Sequence, residues 1–476
     1  MTMPNSNFDF IIIGSGVGGA LAANRVLAKG NSVLLLEAGS SFSRNTSITK
    51  SLFKNYWNGG VVPLFGPFTC PFGEAKVFGG GSVINGALIW NLPKKIRKKW
   101  ADLLPKSVFN SAEWFKSEQK INNELRVSNQ HSHYLHGNQA SKLLAQEAIN
   151  QNMEVVQVPR AVDDCKNSNR CGSGCPLEAK NTVIEVYLQD HPLLSIKKEA
   201  LAYKIKKSKN GWTVQYIQKN KKKYASAKKV IVAAGATESA NILRKSRLSF
   251  AAGKFFQFHF NFKLLAKFKS SIDAENGTIL THQVQEYMDD GILLMSSNHK
   301  KPYLASSLAH LSPSNFQKYM KSSDNVGIYT VQIRPDVKAS INSLFGQTFG
   351  FWKWSQDSFT RTKKGVEILA KLLFDAGAKE IILPLKNSKS IIKDKIELQN
   401  CLEKCTENEL IGLSVHGMSA CKMGDSAQNS VVDLDGQVWG HDNLYVLDSS
   451  ILPTNTGESP QGAILTTIDL ILQRWK

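Results

Sequence analysis

The residues nearest to recognisable chemistry are three glycines close to the start of the chain. Gly14, Gly16 and Gly19 stand in G-x-G-x-x-G spacing. In this spacing the first glycine permits a tight turn, the second lets a pyrophosphate approach the backbone, and the third lets a helix pack close to the preceding strand. Glu37 stands where an acidic side chain can accept hydrogen bonds from a ribose. Together these positions predict a dinucleotide-binding site.

The elements around these glycines have the order that such a site requires. Residues 8–13 are mostly apolar and rich in β-branched side chains, which is typical of an inner strand of a parallel sheet. The pattern predicts a helix over about 17–29, whose first N–H groups would face a pyrophosphate. A second strand is predicted over 32–36, and it ends at Glu37.

A second glycine-rich segment, VFGGGSVING at 77–86, could also hold a ligand. Consecutive glycines can form a backbone nest that approaches a phosphate or a flat ring, and Ser82 and Asn85 could hydrogen-bond it. Taken alone, the segment is equally well interpreted as a tight turn that leads into a helix. Beside the first motif, it predicts a second contact with the same cofactor.

Three cysteines, Cys165, Cys171 and Cys175, lie within eleven residues. Their closeness suggests zinc or iron–sulfur ligation, but no fourth ligand has suitable spacing. We therefore favour a buried structural loop of reduced cysteines and predict no metal site. The chain holds seven cysteines, an odd number, and its N-terminus lacks the basic start and apolar core of a signal peptide. These features predict free thiols and a cytoplasmic location.

The charge balance is strongly basic, with 59 Lys and Arg against 39 Asp and Glu and a formal net charge of +20. Lysine clusters lie at 197–229, near 94–99 and near 386–395. The first cluster interrupts strand-like segments, so a solvated outer face is the favoured interpretation. Peripheral attraction to an anionic membrane leaflet is the alternative. Nucleic-acid binding is not expected, because no known binding module accompanies the lysines.

The chain is too long for one compact core, so two domains are expected. Residues 194–231 alternate strand and turn, as in a β-meander, and lead into the small-residue turn 234–239. Aromatic residues become frequent within 250–405, which we interpret as a second domain with an apolar pocket. The stretch from about 406 returns to α/β character, with a strand over 444–447 and a closing helix over about 461–474.

At this point the chain resembles the glucose-methanol-choline (GMC) family of flavin oxidoreductases. Five motifs occur in the family's order: GSGVGG with Glu37, GGGSVING at 79–86, AAGATES at 233–239, HGMSACKMG at 416–424 and NLYVLDSSILPTNTGESP at 443–460. Residues 171–188 resemble a loop of the long-chain alcohol oxidase and cholesterol-oxidase-like branch. The middle region, 250–405, matches only in position and general character.

The resemblance implies an α/β fold, α+β overall. A Rossmann-like FAD-binding domain with a β-meander would be formed by 1–95, 160–250 and 406–476. A substrate domain on a mixed or antiparallel sheet with helices would be formed by 251–405 with parts of 96–159.

The resemblance also implies an extended FAD. The pyrophosphate would lie at the first three glycines, and Glu37 would hold the adenosine ribose. Ala202 and Gly235 would flank the adenine end, while Asp448 and Ser449 would close over the phosphates and ribityl chain. The full set of implied cofactor contacts is Gly14, Gly16, Gly19, Glu37, Gly81, Ser82, Asn85, Gly86, Ala202, Gly235, Asp448, Ser449 and Pro460.

His416 matches the active-site histidine of the family. An imidazole with a pKa near neutrality can remove the proton of a substrate hydroxyl while the carbinol hydride leaves for flavin N5. Where the family has a second His or Asn, this chain has Ser459, which is shorter and cannot become a cation. Ser459 would steer the alcohol oxygen, or Glu458 or Asn455 would take its place. His259 and His441 are interpreted as structural residues.

The function expected from this resemblance is FAD-dependent oxidation of an apolar alcohol, long-chain or sterol-like. Its electrons would pass to oxygen, a quinone or a redox protein. Two alternatives stay open at this point. One is a non-redox or light-driven lyase on the same scaffold, similar to a fatty-acid photodecarboxylase, which the changed second position would tolerate. The other is a flavin-binding protein without turnover that is held at anionic surfaces by its lysines.

Overall fold

The computed structural model describes residues 7–43, 47–107, 109–129, 137–386 and 390–475. The helices in these ranges are α1 (Val17–Leu27), α2 (Ile48–Asn55), α3 (Gly81–Ile84), α4 (Lys94–Leu103), α5 (Ala112–Glu124), α6 (Gln139–Asn150), α7 (Val183–Tyr187), α8 (Glu238–Lys245), α9 (Lys301–Leu308), α10 (Pro313–Lys321), α11 (Gln356–Asp375), α12 (Lys395–Lys404) and α13 (Gln461–Arg474). None of the helices in the described part of the chain has the length and apolar character that crossing a bilayer requires.

The strands in the first half of the chain are β1 (Asn7–Ile13), β2 (Val33–Leu36), β3 (Val62–Phe65), β4 (Cys70–Phe72), β5 (Val127–Ser128), β6 (Val155–Gln157), β7 (Arg160–Ala161), β8 (Leu194–Lys197), β9 (Ala200–Ser208), β10 (Gly211–Gln218) and β11 (Lys221–Val232). Those that follow are β12 (Gln257–Phe258), β13 (Phe260–Lys267), β14 (His282–Val284), β15 (Ile292–Ser296), β16 (Val326–Ile333), β17 (Val337–Leu344), β18 (Gln347–Trp354), β19 (Glu380–Ile382), β20 (Ile391–Ile392), β21 (Gly412–Leu413), β22 (Gly417–Met418) and β23 (Leu444–Val446).

A seven-stranded sheet carries the N-terminal motif. Its strands run β8-β2-β1-β11-β10-β9, and β23 pairs with the far end of β11. The pairs from β8 to β11 and the β11–β23 pair are parallel, whereas β9, β10 and β11 form the antiparallel meander. Helix α1 connects β1 to β2 and packs against α13. The predicted α/β arrangement with a β-meander is confirmed.

An eight-stranded antiparallel sheet forms the second layer. Its strands run β20-β19-β13-β16-β15-β14-β6, and β21 pairs with β13. Helix α11 packs on β16 and covers one face of this sheet. A four-stranded sheet, β17-β18-β3-β4, lies beside it. The boundaries between the two domains stay a prediction. Strands β3 and β4, which that prediction assigns to the cofactor domain, belong to the same sheet as β17 and β18.

Strict alternation over residues 256–263 separates an aromatic face from a polar face. Phe256, Phe258, Phe260 and Phe262 are fully buried. Their rings pack against each other, against Phe68 in the loop between β3 and β4, and against Trp352 of β18. Hydrophobic packing takes these four phenylalanines into the core between sheets, and none of them lines the cavity described below. The interpretation of 250–405 as a domain with an apolar pocket therefore depends on other side chains of that region and stays a prediction.

The segment from 40 to 68 is irregular in sequence but not in structure. It contains helix α2 and strand β3, although residues 44–46 lie outside the described ranges. Ser47 starts the helix, because its Oγ accepts a hydrogen bond from the backbone N–H of Lys50 at 3.3 Å. Strand β3 then pairs with β18 over Leu64 and Phe65. A cap and a distant strand therefore determine a segment whose own sequence shows no clear period.

Candidate cofactor and active site

A cavity of about 730 Å³ extends from the N-terminal glycines to the face of the eight-stranded sheet. Most of the residues that the sequence predicts for the site lie in its wall. They are Gly14, Gly16, Glu37, Gly81, Asn85, Gly86, Ala202, Gly235, His416, Asp448, Ser449, Ser459 and Pro460. Gly19 and Ser82 do not line the cavity. Ser82 instead donates from Oγ to the carbonyl oxygen of Gly79 at 2.8 Å, which stabilises the second glycine segment.

The first glycine turn has no space for side chains. Gly14 has φ +103°, and a Cβ there would lie 2.2 Å from the carbonyl oxygen of Ala233. A Cβ on Gly19 would lie 2.0 Å from the carbonyl oxygen of Gly14, so α1 packs directly on the turn. Helix α1 begins after Gly16 without a side-chain cap. Its first N–H groups are therefore available to an anion, which suits a pyrophosphate.

Glu37 lies at the end of β2, in the cavity wall. Its carboxylate accepts hydrogen bonds from Ser15, at 3.0 Å from the backbone N–H and 2.6 Å from Oγ, and from the N–H of Gly39 at 2.6 Å. Burial raises its pKa, while these hydrogen bonds oppose that change. The acidic group is thus fixed beside the glycine turn, where a ribose hydroxyl would find an acceptor.

The second glycine segment is held from behind by the loop that carries the cysteines. Lys180 donates from Nζ to the carbonyl oxygens of Val83 and Asn85, each at 2.8 Å. Burial lowers the pKa of Lys180 to about 8. Arg160 donates to the carbonyl oxygen of Gly86 at 2.8 Å. Two buried cations therefore fix the backbone of the segment and leave its front to the cavity.

The three cysteines lie around this support. Cys171 is buried and 3.4 Å from an Arg160 guanidinium nitrogen, while Cys165 and Cys175 pack partly buried against Ala87, Val162 and Ala179. All three are free thiols. The thiols are free as the sequence predicts, and the structural role of the loop stays a prediction. In the described ranges, no three His, Cys, Asp or Glu side chains are grouped as metal ligands.

Asp448 connects two of the sequence motifs. It accepts hydrogen bonds from the backbone N–H of Gly235 at 2.9 Å and from the hydroxyl of Ser239 at 2.5 Å. It also caps the turn that follows, by accepting from the N–H of Ser450 at 2.8 Å. Burial raises the pKa of this carboxyl. The cavity wall here depends on a carboxylate that pins the turn after β11 to the segment after β23.

Glu74 is a partly buried acid in the same wall, and the sequence did not indicate it. It accepts from the backbone N–H of Thr237 at 3.1 Å and from the Thr237 hydroxyl. Burial, with a further contribution from Glu238 and Asp448, raises its pKa to about 8. Below this pH the Glu74 carboxyl is protonated, so it can donate a hydrogen bond as well as accept one.

The imidazole of His416 faces the cavity and is joined to a second histidine. Its Nδ1 lies 3.2 Å from Nδ1 of His259. His259 is fully buried, and its Nε2 accepts a hydrogen bond from the backbone N–H of Gly457 at 3.0 Å. His259 must then carry its own proton on Nδ1 and donate it to His416. Neutral His416 consequently carries its proton on Nε2, the atom that has no partner among the described residues.

Burial lowers the pKa of His416 to about 4. Burial also lowers the pKa of His259 well below its usual value, and the nearby His416 and Arg334 lower it further. Both rings are therefore neutral at pH 7. His259 lies in the core with both ring nitrogens hydrogen-bonded, and nothing in the sequence indicated its contact with His416. His441 hydrogen-bonds the carbonyl oxygen of Leu248 at 2.9 Å and packs on Trp212, as a structural residue does.

Ser459 and Glu458 also belong to the cavity wall. The Glu458 carboxylate accepts hydrogen bonds from the side-chain amides of Gln285 at 2.9 Å and Gln283 at 3.5 Å. Burial raises its pKa to about 8, against the lowering effect of these hydrogen bonds. A carboxyl that titrates near neutrality inside a cavity is suited to proton transfer. Among the side chains that the sequence suggested as partners of His416, Glu458 is the one with this property.

The sequence missed three further polar residues that share this region. His259, Asn261 and Lys263 alternate with the buried phenylalanines, so they lie on the opposite face of the β12–β13 segment. The sequence signal that could have found them is the alternation of phenylalanine with polar residues over 256–263. A polar face of a strand normally meets solvent, and one sequence does not show that this one meets an internal cavity.

The shape and chemistry of the cavity fit an extended dinucleotide. A glycine turn, an uncapped helix start and a fixed acid lie at one end, and a backbone segment held by two cations follows. Residues 8–261 match the N-terminal region of GMC oxidoreductases, and residues 351–467 match their C-terminal region. The chain belongs to the GMC oxidoreductase family. This confirms the resemblance drawn from the five motifs, and it makes the chain an FAD-dependent oxidoreductase that acts on CH–OH groups.

Individual GMC proteins are similar over nearly the whole chain. A GMC-type oxidoreductase of Sinorhizobium fredii is 25% identical over 479 residues, which cover 96% of this chain and 92% of the relative. A long-chain-alcohol oxidase of Arabidopsis thaliana is 23% identical, over 98% of this chain and 67% of that protein. The crystal structure of pyridoxine 4-oxidase from Mesorbium loti superposes with a TM-score of 0.74 at 13% identity, covering 98% of this chain and 99% of that one. The last similarity concerns the fold alone.

Proposed function

We propose that this GMC oxidoreductase oxidises an alcohol whose hydroxyl group lies against Nε2 of His416. The observation that carries the proposal is that His416 lines the same cavity as Gly14, Gly16 and Asn85, while its Nδ1 is engaged by His259 and its Nε2 has no partner among the described residues. FAD, when bound along that wall, supplies the acceptor for the hydride of the carbinol carbon. The residues of the chain have to orient the alcohol, exclude water and move its proton.

The family resemblance makes His416 the base. In the hydrogen-bond arrangement described above, however, its Nε2 already carries a proton. Nε2 can accept the hydroxyl proton only if His416 holds its other proton on Nδ1. His259 would then have to accept at Nδ1 and give up the hydrogen bond from Gly457. The base role of His416 therefore includes a change of tautomer in both rings.

Glu458 is the second candidate for the base. The observation that favours it is the tautomer of the histidine pair, because Nε2–H of His416 can donate a hydrogen bond to the substrate oxygen and stabilise the negative charge that develops there. The hydroxyl proton would then pass to the carboxylate of Glu458. The two assignments predict different dependences of kcat/KM on pH.

The apolar substrate proposed from the sequence rests on the relatives in the long-chain-alcohol oxidase branch. The phenylalanines that suggested an apolar pocket pack in the core instead. Support for an apolar chain now comes from other wall residues, among them Leu280, Met295 and Val415.

Product analysis with the purified flavoprotein tests the proposal. Primary alcohols of increasing chain length and a sterol are offered in the dark with oxygen, a quinone or an artificial redox dye as the electron acceptor. We expect an aldehyde or ketone from at least one alcohol. A fatty acid offered under blue light forms the control for the lyase alternative. Hydrocarbon formation in that arm, without carbonyl product in the others, would contradict alcohol oxidation.

A further inference from the structure

One face of the eight-stranded sheet brings a lysine without a counter-charge and an amide without an acceptor into the cavity wall. Asn261 and Lys263 are two residues apart on β13, so their side chains lie on the same face. On the neighbouring strand β16 they pair in register with Gln332 and Thr330, respectively. All four residues line the cavity. This polar face belongs to the sheet that the sequence assigns to the substrate domain.

Lys263 is a cation without an anion. Its Nζ donates to Oγ of Ser297 at 2.6 Å and to Oγ1 of Thr330 at 2.7 Å. Among the described residues, no Asp or Glu forms an ion pair with it. Burial lowers its pKa to about 8. An ammonium has three donors and no acceptor, and an enclosed cation without a counter-charge is costly to keep. Neutral hydroxyl partners satisfy its hydrogen bonds but not its charge.

Asn261 supplies an independent observation. It is 7% exposed, and its Nδ2 is buried without a hydrogen-bond partner in the structure. Buried side-chain donors in folded proteins are nearly always paired. On one sheet face, an amide without an acceptor therefore accompanies an ammonium that has hydroxyl partners but no counter-charge, and another molecule could bring both the acceptor and the charge.

Glu458 lines the same cavity but supplies neither that acceptor nor that charge. Its two oxygens are held by the amides of Gln283 and Gln285, and it forms no ion pair with Lys263. Gln332 is also engaged, since it donates to the carbonyl oxygen of Gly457 at 3.0 Å. The open donors of this wall are thus those of Lys263 and Asn261.

We propose that Lys263 and Asn261 form a subsite for a carboxylate carried by the alcohol substrate, so that the substrate class is a hydroxy acid. One ammonium and one amide match the charge and the two oxygens of a carboxylate. The inference rests on the proposed function for the position of the hydroxyl group, but the carboxylate subsite itself does not require turnover. An apolar chain between the two polar groups of the substrate is compatible with the leucine and methionine side chains elsewhere in the wall.

Binding to the holoenzyme tests the subsite without chemistry. Isothermal titration calorimetry compares hexanoate with hexanamide, which has the same length and no charge. We expect hexanoate to bind about 10- to 100-fold more tightly at pH 7, as a charge-assisted hydrogen bond implies. Lys263→Met should remove this preference, and Asn261→Leu should reduce it. Lys338→Met, at an exposed position of β17, is the matched control and should bind as the wild type does.

Lys263→Gln serves as a second variant if Lys263→Met fails to retain flavin. Equal binding of hexanoate and hexanamide by the wild type would overturn the proposal, as would an unchanged preference in either Lys263 variant. A Lys263 variant whose flavin reduction potential shifts while its hexanoate binding stays the same would also overturn the proposal, because Lys263 would then act on the cofactor.

Turnover separates this proposal from the proposed function. ω-Hydroxy acids of several lengths are compared with their methyl esters, and we expect a lower KM for the acids that Lys263→Met abolishes. If hexanoate binds through Lys263 but no alcohol is oxidised, the subsite stands and the proposed function fails. If neutral alcohols are oxidised and hexanoate does not bind, the proposed function stands and the carboxylate subsite fails.

Discussion

Nδ1 of His259 and Nδ1 of His416 lie 3.2 Å apart, with the two ring planes at 88° to each other. Only one of these atoms can carry the shared proton. The N–H of Gly457, which donates to the other nitrogen of His259, decides which one it is. A backbone amide two residues before Ser459 thus sets the tautomer of the imidazole that faces the cavity. His259 is a positioning residue for His416.

Replacing His259 should alter the chemistry more than the fold. His259→Phe removes the donor to His416, and loss of a partner that orients a functional histidine typically costs about 10- to 100-fold in activity. We expect kcat to fall in that range while KM changes little, and the pH dependence of kcat to change shape. His259→Asn, whose amide can donate to Nδ1, should recover part of the rate. His441→Gln is the control for a structural histidine. Equal kcat and pH profiles in His259→Phe and the wild type would contradict this role.

The pH profile of kcat/KM should identify the base. A base must be deprotonated, so if Glu458 acts, the rate rises with pH and levels off above about 8, where its carboxyl has lost its proton. In Glu458→Gln this rise should disappear along with most of the rate. If His416 is the base, its pKa of about 4 makes the rate independent of pH from about 5 upwards. The shape of the profile in Glu458→Gln would then match that of the wild type, which would rule out the carboxylate.

Glu74 should make the protein less stable as pH rises. Its folded pKa of about 8 lies above its unfolded value of 4.5, so between these values the folded state holds a proton that the unfolded state has lost. The stabilisation is complete below pH 4.5 and is lost as pH rises through 8, at no more than about 1.4 kcal/mol per pH unit. Thermal unfolding from pH 5 to 8 should show a shallower decline for Glu74→Gln than for the wild type. Asp425→Asn, at an exposed position, should leave the decline unchanged.

Two glycine variants should separate folding from cofactor binding. A Cβ on Gly81 meets nothing within 4 Å. The flavin-free Gly81→Ala protein should therefore have the same unfolding temperature as the flavin-free wild type. Because Gly81 lines the cavity, the added methyl group would take space that the cofactor needs. We therefore expect the flavin content of the purified protein to fall. Gly19→Ala places its Cβ 2.0 Å from the carbonyl oxygen of Gly14. It should destabilise the flavin-free protein by about 1–3 kcal/mol. Normal flavin content in Gly81→Ala would show that the cofactor lies elsewhere.

The cofactor end of the site could be predicted from the sequence because its requirements are local. Gly14, Gly16 and Glu37 follow one another on a strand, a turn and a second strand, and the structure has these elements within a few residues of the predicted bounds. His416 and Ser459 could be placed through the family motifs, and both lie in the cavity wall.

The substrate end could not be predicted, since its chemistry comes from pairing between distant strands. Lys263 meets Thr330 and Ser297 only after β13, β15 and β16 have joined in one sheet. His259 meets His416 only because β12 pairs with β22. The alternation of phenylalanine with polar residues was visible from 256 to 263, but the space that the polar face meets depends on how the sheets pack.

Anaerobic reduction of the flavin by an alcohol tests the central claim most directly. The purified protein is mixed with candidate alcohols and hydroxy acids without oxygen, and the visible absorbance of the oxidised flavin is followed. We expect at least one of these substrates to bleach the flavin spectrum, and His416→Ala to lose most of the bleaching rate while the flavin stays bound. A protein that takes up no flavin, or a His416→Ala variant that bleaches at the wild-type rate, would contradict it.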